Sequence, residues 1–148
     1  MKVEVTIKEI TKEDLVNLFS IGLTGSSFLG CDYDKRLYQS LPDASEEDCI
    51  EDKLAKLLLA GHSIELWDLE ADSADNYGTL ESHYREAYQC MAYKVTLEDI
   101  KKSLSIAATK EDLADYFMQL AVGEAYDLDL TGGESLLQFI MFGEVIYG

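Results

Sequence analysis

Ser45-Glu46-Glu47-Asp48-Cys49-Ile50-Glu51-Asp52-Lys53-Leu54-Ala55-Lys56-Leu57-Leu58-Leu59-Ala60-Gly61 runs directly into His62-Ser63-Ile64-Glu65-Leu66-Trp67-Asp68-Leu69, and the change of period between them decides the fold class. In the first part Cys49, Ile50, Leu54, Leu57 and Leu58 recur at helical spacing and form one apolar face. Ser45 followed by Glu46, Glu47 and Asp48 reads as a helix start, with a hydroxyl for an orphan N–H and acid at the positive end of the helix dipole. Gly61 is placed to end the helix. In the second part the period becomes two. Ile64 and Leu66 fall on one side and Glu65, Trp67 and Leu69 on the other, which predicts a strand over 62–69.

The same two periods organise the rest of the chain. Val3, Val5 and Ile7 alternate with Lys2, Glu4 and Thr6 and predict a strand. Thr11-Lys12-Glu13-Asp14 resembles a capping box, and Leu15, Leu18 and Phe19 continue it as a helix ending near Gly22 or Gly25. Residues 22–44 carry the least pattern, broken by Gly22, Gly25, Gly30 and the only proline, Pro42, with a short element over 35–41. Residues 70–82 are polar and read as a long loop. Residues 86–95 predict a third strand, extended backward through Tyr84, with Met91, Tyr93 and Val95 on one face and Tyr88, Cys90 and Ala92 on the other. Apolar residues on both faces indicate a central strand covered twice. Thr96-Leu97-Glu98-Asp99 starts a helix carrying Ile100 and Leu104. Thr109-Lys110-Glu111-Asp112 starts another, with Leu113, Phe117 and Leu120 inward. Thr-Lys-Glu-Asp-Leu thus occurs at 11–15 and 109–113, read as a recurrent helix start because five residues do not make a repeat. Gly132-Gly133 precede a last apolar helix with Leu136, Leu137, Ile140 and Met141. The expectation is one α+β domain over 1–148: a small antiparallel or mixed sheet of about three strands packed with four or five helices.

Charge narrows the function classes. The 148 residues include 29 Asp and Glu against 12 Lys and Arg, a net charge of −17, while 47% are hydrophobic. That apolar share excludes a disordered acidic tail. The charge argues against direct binding of nucleic acid phosphates or anionic lipid, both of which require a cationic surface. No basic-then-apolar leader is visible at the N-terminus, and no apolar run approaches the roughly 18 residues of a membrane span. Cys31, Cys49 and Cys90 form no CxxC pair, which fits a reducing cytoplasm. Cys49 and Cys90 read as buried small hydrophobes. Cys31 reads as a loop residue whose neighbouring acids raise its thiol pKa.

Tests for chemistry return little. His62 and His83 lie 21 residues apart, and the cysteines lack zinc spacing. Asp127-x-Asp129-x-Thr131-Gly132 resembles half a calcium loop, but its twelfth position is Gln138, so a loop leading into a capped helix is the better reading. No GxSxG or phosphate-loop motif occurs, and adjacent Ser82-His83 is no triad. With 29 acids, no pair of carboxylates is informative. The expectation is a non-enzyme without cofactor or metal.

The acids gather at 43–52, 65–86 and 111–134, and self-repulsion on this scale costs stability. Either it serves solubility or it serves a basic partner. Tyr33, Tyr77 and Tyr84 stand beside acids, a combination suited to arginine-rich surfaces through charge-assisted bonds and cation–π contact, unless each ring only caps the core. The expected partner-binding residues are Asp68 at the end of the second strand and Glu70, Asp72, Asp75, Tyr77 and Glu81 after it, with the acids Asp68, Glu70, Asp72 and Asp75 expected in solvent, and Asp43, Glu46, Glu47 and Glu51.

Residues 49–58, from Cys49-Ile50-Glu51-Asp52 to Leu58, and the tail Phe142-Gly143-Glu144-Val145-Ile146-Tyr147-Gly148 resemble small accessory proteins of phages and mobile elements of gut bacteria. Acidic members of that class, such as anti-CRISPR and anti-restriction proteins, act as nucleic-acid mimics. The resemblance implies an inhibitor that blocks the nucleic-acid site of a basic host protein, a CRISPR or other defence nuclease. A cytoplasmic adaptor or assembly module without mimicry is the alternative, and a small hydrolase or transferase without a readable motif is the third.

Overall fold

The computed structural model describes residues 9–24, 26–71, 78–116 and 130–147, with only the backbone at 130. The strand expected at 3–7, Phe117, Leu120 and the half calcium loop at Asp127 and Asp129 lie outside them. The elements are α1 (Lys12–Thr24), β1 (Leu29–Asp32), α2 (Lys35–Gln39), α3 (Ile50–Leu59), β2 (Ile64–Asp68), β3 (Ser82–Arg85), β4 (Cys90–Val95), α4 (Leu97–Ala107) and α5 (Leu130–Phe142), and residues 114–116 are also helical. The four strands form one antiparallel sheet in the order β1-β2-β4-β3. The class is α+β, with one strand more than expected.

One sheet face carries Leu29, Ile64, Leu66, Met91, Tyr93 and Val95 into the core, where they meet Leu15, Leu18 and Phe19 of α1, Leu54, Leu57 and Leu58 of α3, Ile100 and Leu104 of α4, and Leu136 and Ile140 of α5. Helix α1 packs on both α3 and α5, and α4 packs on α5. β4 is central, and both its faces are buried. On the core side Tyr93 meets Phe142 edge-on at 5.4 Å. On the other side Cys90 and Ala92 are wholly buried outside the helical core. Among the described residues, no helix is long and apolar enough to cross a membrane.

Several local expectations are corrected. The strand read over 86–95 is a hairpin: residues 86–89 turn, with Gln89 at φ 49°, and 82–85 pair back on 90–93. Helix α3 starts at Ile50 rather than at Ser45. The Asp52 carboxylate accepts from both the N–H and the thiol of Cys49, so Cys49 is an exposed helix-capping residue and not a core one. Cys31 sits in β1, not in a loop; burial, with Asp32 and Glu51 adding, pushes its thiol up to about 11. Of the two ends expected for α1 the later one holds, since the helix runs through Gly22 to Thr24, and Gly132-Gly133 lie inside α5. A Cβ on Gly22 would stand 2.9 Å from the Gly133 carbonyl oxygen, and one on Gly133 would stand 2.9 Å from the Gly22 nitrogen. These glycines let two helix backbones touch, a use that a helix-stop reading overlooks.

Candidate binding surfaces

The first acidic segment is built around Tyr38 and Lys56. Asp34 caps α2 by accepting from Leu37 N–H at 3.1 Å, which turns the Tyr38 ring into the core. The Tyr38 hydroxyl accepts from Ser45 N–H at 3.0 Å and donates to the Asp48 carboxylate. Lys56, in the last turn of α3, donates to the same Asp48 oxygen at 2.6 Å and to the Asp43 carbonyl at 2.6 Å. The Lys56 and Tyr38 bonds hold the Asp48 carboxyl below its usual range despite burial. The loop from Ser40 to Cys49 is therefore pinned at two polar nodes. Asp43, Glu46 and Glu47 stand on it in solvent, and Glu51 is half-buried in the first turn of α3. Two neighbouring cations are committed, Lys56 to Asp48 and Lys12 to Asp52 at 3.6 Å.

Beside this loop Tyr33 and Tyr38 meet edge to face, with ring centres 6.2 Å apart. The Lys53 ammonium lies 5.6 Å from the Tyr33 ring centre and 5.4 Å from that of Tyr38, and donates to the Tyr33 hydroxyl at 3.3 Å. A depression of about 580 Å³ opens over this group.

The second acidic segment is different in kind. Asp68 was expected in solvent; it is wholly buried. It lies on the core side of β2, in line with Ile64 and Leu66, because residues two apart share a sheet face. Its carboxylate accepts from the Tyr147 hydroxyl at 2.9 and 3.0 Å and from Glu70 N–H at 3.0 Å. Burial raises its pKa, against the pull of those two donors. Tyr147 is delivered by Gln138 of α5, whose side-chain oxygen accepts from Ile146 and Tyr147 N–H and whose amide donates to the Tyr147 carbonyl. Phe28 at 4.9 Å and Phe142 at 6.1 Å flank the ring. Asp68 is thus an anchor for the C-terminal segment and leaves the set of partner-binding residues. Glu70 and Glu81 are exposed, Glu81 lying 3.7 Å from Lys94. Asp72, Asp75 and Tyr77 lie outside the described residues.

Pattern reading overlooked the outer sheet face. Glu65 lies there in register with Asp32 and Lys94, and Trp67 in register with Gly30 and Ala92. Arg85 forks onto both Glu65 oxygens at 3.1 and 3.0 Å and lies over the Trp67 ring, whose indole N–H donates to Glu65 at 3.0 Å. Burial raises the Glu65 pKa, but the Arg85 and Trp67 bonds prevail and hold it low. Tyr88 stacks on Trp67 at 5.0 Å while 61% exposed. The alternation Glu65-x-Trp67 and His83-x-Arg85, on strands either side of β4, was the available signal, hidden once Tyr84 to Val95 was read as one continuous strand. Among the described residues, no group of three or more His, Cys, Asp or Glu is placed to hold a metal ion.

No family model, curated protein or solved structure matches this chain.

Proposed function

We propose that this protein is a non-enzymatic inhibitor that binds a basic nucleic-acid-binding protein, of the defence-nuclease kind, and occupies its nucleic-acid site. One observation carries the reading. Asp43, Glu46 and Glu47 are exposed on a loop pinned by Tyr38 and Lys56, and Lys56 and Lys12 beside it are paired with Asp48 and Asp52. Pre-positioned carboxylates offer a cationic groove a rigid array, and the net charge of −17 steers such a groove toward it.

An adaptor without mimicry is the second reading. The withdrawal of Asp68 into the core and the pairing of Glu65 with Arg85 favour it, since both thin the acidic array expected at 65–86. Capture of the partner from its host, identified by mass spectrometry, followed by competition with nucleic acid, separates the two. Mimicry requires that nucleic acid and this protein exclude one another. Binding that nucleic acid leaves untouched supports the adaptor. Affinity is also expected to fall as salt rises, because exposed charges are screened within about 8–10 Å near physiological ionic strength. A flat titration points to an apolar interface and removes both the mimic and its acidic array.

A further inference from the structure

We propose that Tyr33 and Tyr38 form a receptor for a cationic side chain of the partner, and that Lys53 is its resident occupant, displaced on binding. The inference rests on the reading that the partner is basic, and it names where one of the partner's cations goes. Two aromatic faces within 6 Å of one ammonium make a favourable cation site, because both ring quadrupoles present negative potential to it. The occupant already seen defines the ligand chemistry: a lysine or arginine head group.

The two cation–π sites among the described residues differ in how firmly they hold their own cation. Arg85 is locked by both oxygens of Glu65 as well as by the Trp67 ring. Lys53 makes no ion pair among the described residues, and its one hydrogen bond is to the Tyr33 hydroxyl at 3.3 Å. A partner's cation can therefore exchange for Lys53 without separating an ion pair, whereas exchange for Arg85 would strip a carboxylate. The rings themselves are held in place. Tyr38 is fastened through its hydroxyl to Ser45 and Asp48, and Tyr33 follows Asp32, which accepts from the Tyr33 N–H at 2.8 Å. The opening beside them has room for an incoming side chain and is lined by Glu46 and Lys35 as well as Lys53.

The test is titration of an arginine–glycine octapeptide, capped at both ends, against wild type, Lys53→Met, Lys35→Met and the double variant Lys53→Met/Tyr33→Leu, with thermal melts confirming folding of each. Lys53→Met is expected to bind roughly two- to fivefold tighter than Lys35→Met, the range expected of an exposed cation–π contact. The double variant is expected to lose that advantage, and Tyr33→Phe, which keeps the ring but not the hydroxyl, to bind at least as well as wild type. Equal gains in Lys53→Met and Lys35→Met would show net charge alone at work and overturn the receptor. Salt-sensitive binding of equal strength in all variants would also overturn it, while leaving the basic-partner reading intact. Absence of binding in every variant would overturn both.

Discussion

Asp48 and Asp68 each accept a hydrogen bond from a tyrosine hydroxyl, yet their carboxyls are shifted in opposite directions. Asp48 meets Tyr38 and the ammonium of Lys56, and its pKa falls. Asp68 meets Tyr147 and the Glu70 N–H, with no cation among its hydrogen-bond partners in the described residues, and burial raises its pKa. In both, the tyrosine hydroxyl favours the carboxylate; at Asp48 the added bond and charge of Lys56 carry the balance past the cost of burial, and at Asp68 burial outweighs the two neutral donors. The two acids therefore do different jobs. Asp48 holds a loop that displays other acids, and Asp68 holds the C-terminal segment to the sheet.

The comparison is broken most severely at Tyr147. Tyr147→Ala removes the ring from between Phe28 and Phe142 and leaves Asp68 buried without its side-chain donor, so a loss of about 3 kcal/mol is expected in denaturant unfolding. Tyr147→Phe keeps the ring and is expected to cost about 1–2 kcal/mol. A loss in Tyr147→Phe as large as in Tyr147→Ala would mean that the hydroxyl, not the ring, carries the anchor.

Asp48→Asn comes next, at about 1–2 kcal/mol near neutral pH, because Lys56 loses its charged acceptor. The native Asp48 pKa is depressed, so its contribution is present above the ordinary aspartate range and lost as pH falls through the native value. The variant should be less sensitive to acid than wild type. Asp68→Asn is expected to change stability by under about 1 kcal/mol at neutral pH, since Asn can still accept from Tyr147. Here the slope has the other sign. The native pKa is raised, so wild type loses stability as pH climbs from the ordinary aspartate range through the native value, and Asp68→Asn removes that loss. Unfolding curves collected across pH for both variants check the pair; slopes of the same sign would erase the distinction.

The smallest folding effect belongs to the displayed acids. Replacing Asp43 by Asn and Glu46 and Glu47 by Gln should alter stability by under about 0.5 kcal/mol each, as they are exposed. The same triple change should slow association with a cationic partner, measured by stopped flow at low salt. Unchanged association would leave the display role of the 43–52 loop without support.

Elements whose pattern is local were legible in the sequence. The apolar spacing of Leu54, Leu57 and Leu58, the alternation of Ile64 and Leu66, and the doubly apolar run in β4 all appear where expected, because period and burial are set by the same residues. Thr96 with Asp99 forms its capping box, with Asp99 N–H donating to the Thr96 hydroxyl at 3.2 Å and Thr96 N–H to Asp99 at 2.9 Å. β1 was not legible: four residues, one of them Gly30, carry too little alternation to announce a strand. Asp43, Glu46 and Glu47 were singled out in the sequence by their density, but Tyr38 and Lys56, which place them, were not connected to them.

The two copies of Thr-Lys-Glu-Asp-Leu mark where the sequence stops deciding. At 11–15 the Asp14 N–H donates to the Thr11 hydroxyl at 3.2 Å and the Asp14 carboxylate accepts from Thr11 N–H at 3.0 Å, and α1 begins. At 109–113 the chain arrives from α4. Thr109 N–H and hydroxyl both turn back onto the Ile106 carbonyl, at 3.0 and 2.7 Å, and the same five residues close one helix before 114–116 begin another. Leu15 and Leu113 are buried in both cases. Composition and period alone determined an acidic α+β chain with its principal helix and central strand, because those depend on neighbours a few residues away. The tertiary structure alone decided that Asp68 is an anchor and not part of a display. Its partner, Tyr147, lies 79 residues along the chain, and only folding brings that hydroxyl to a carboxylate the sheet has turned away from water.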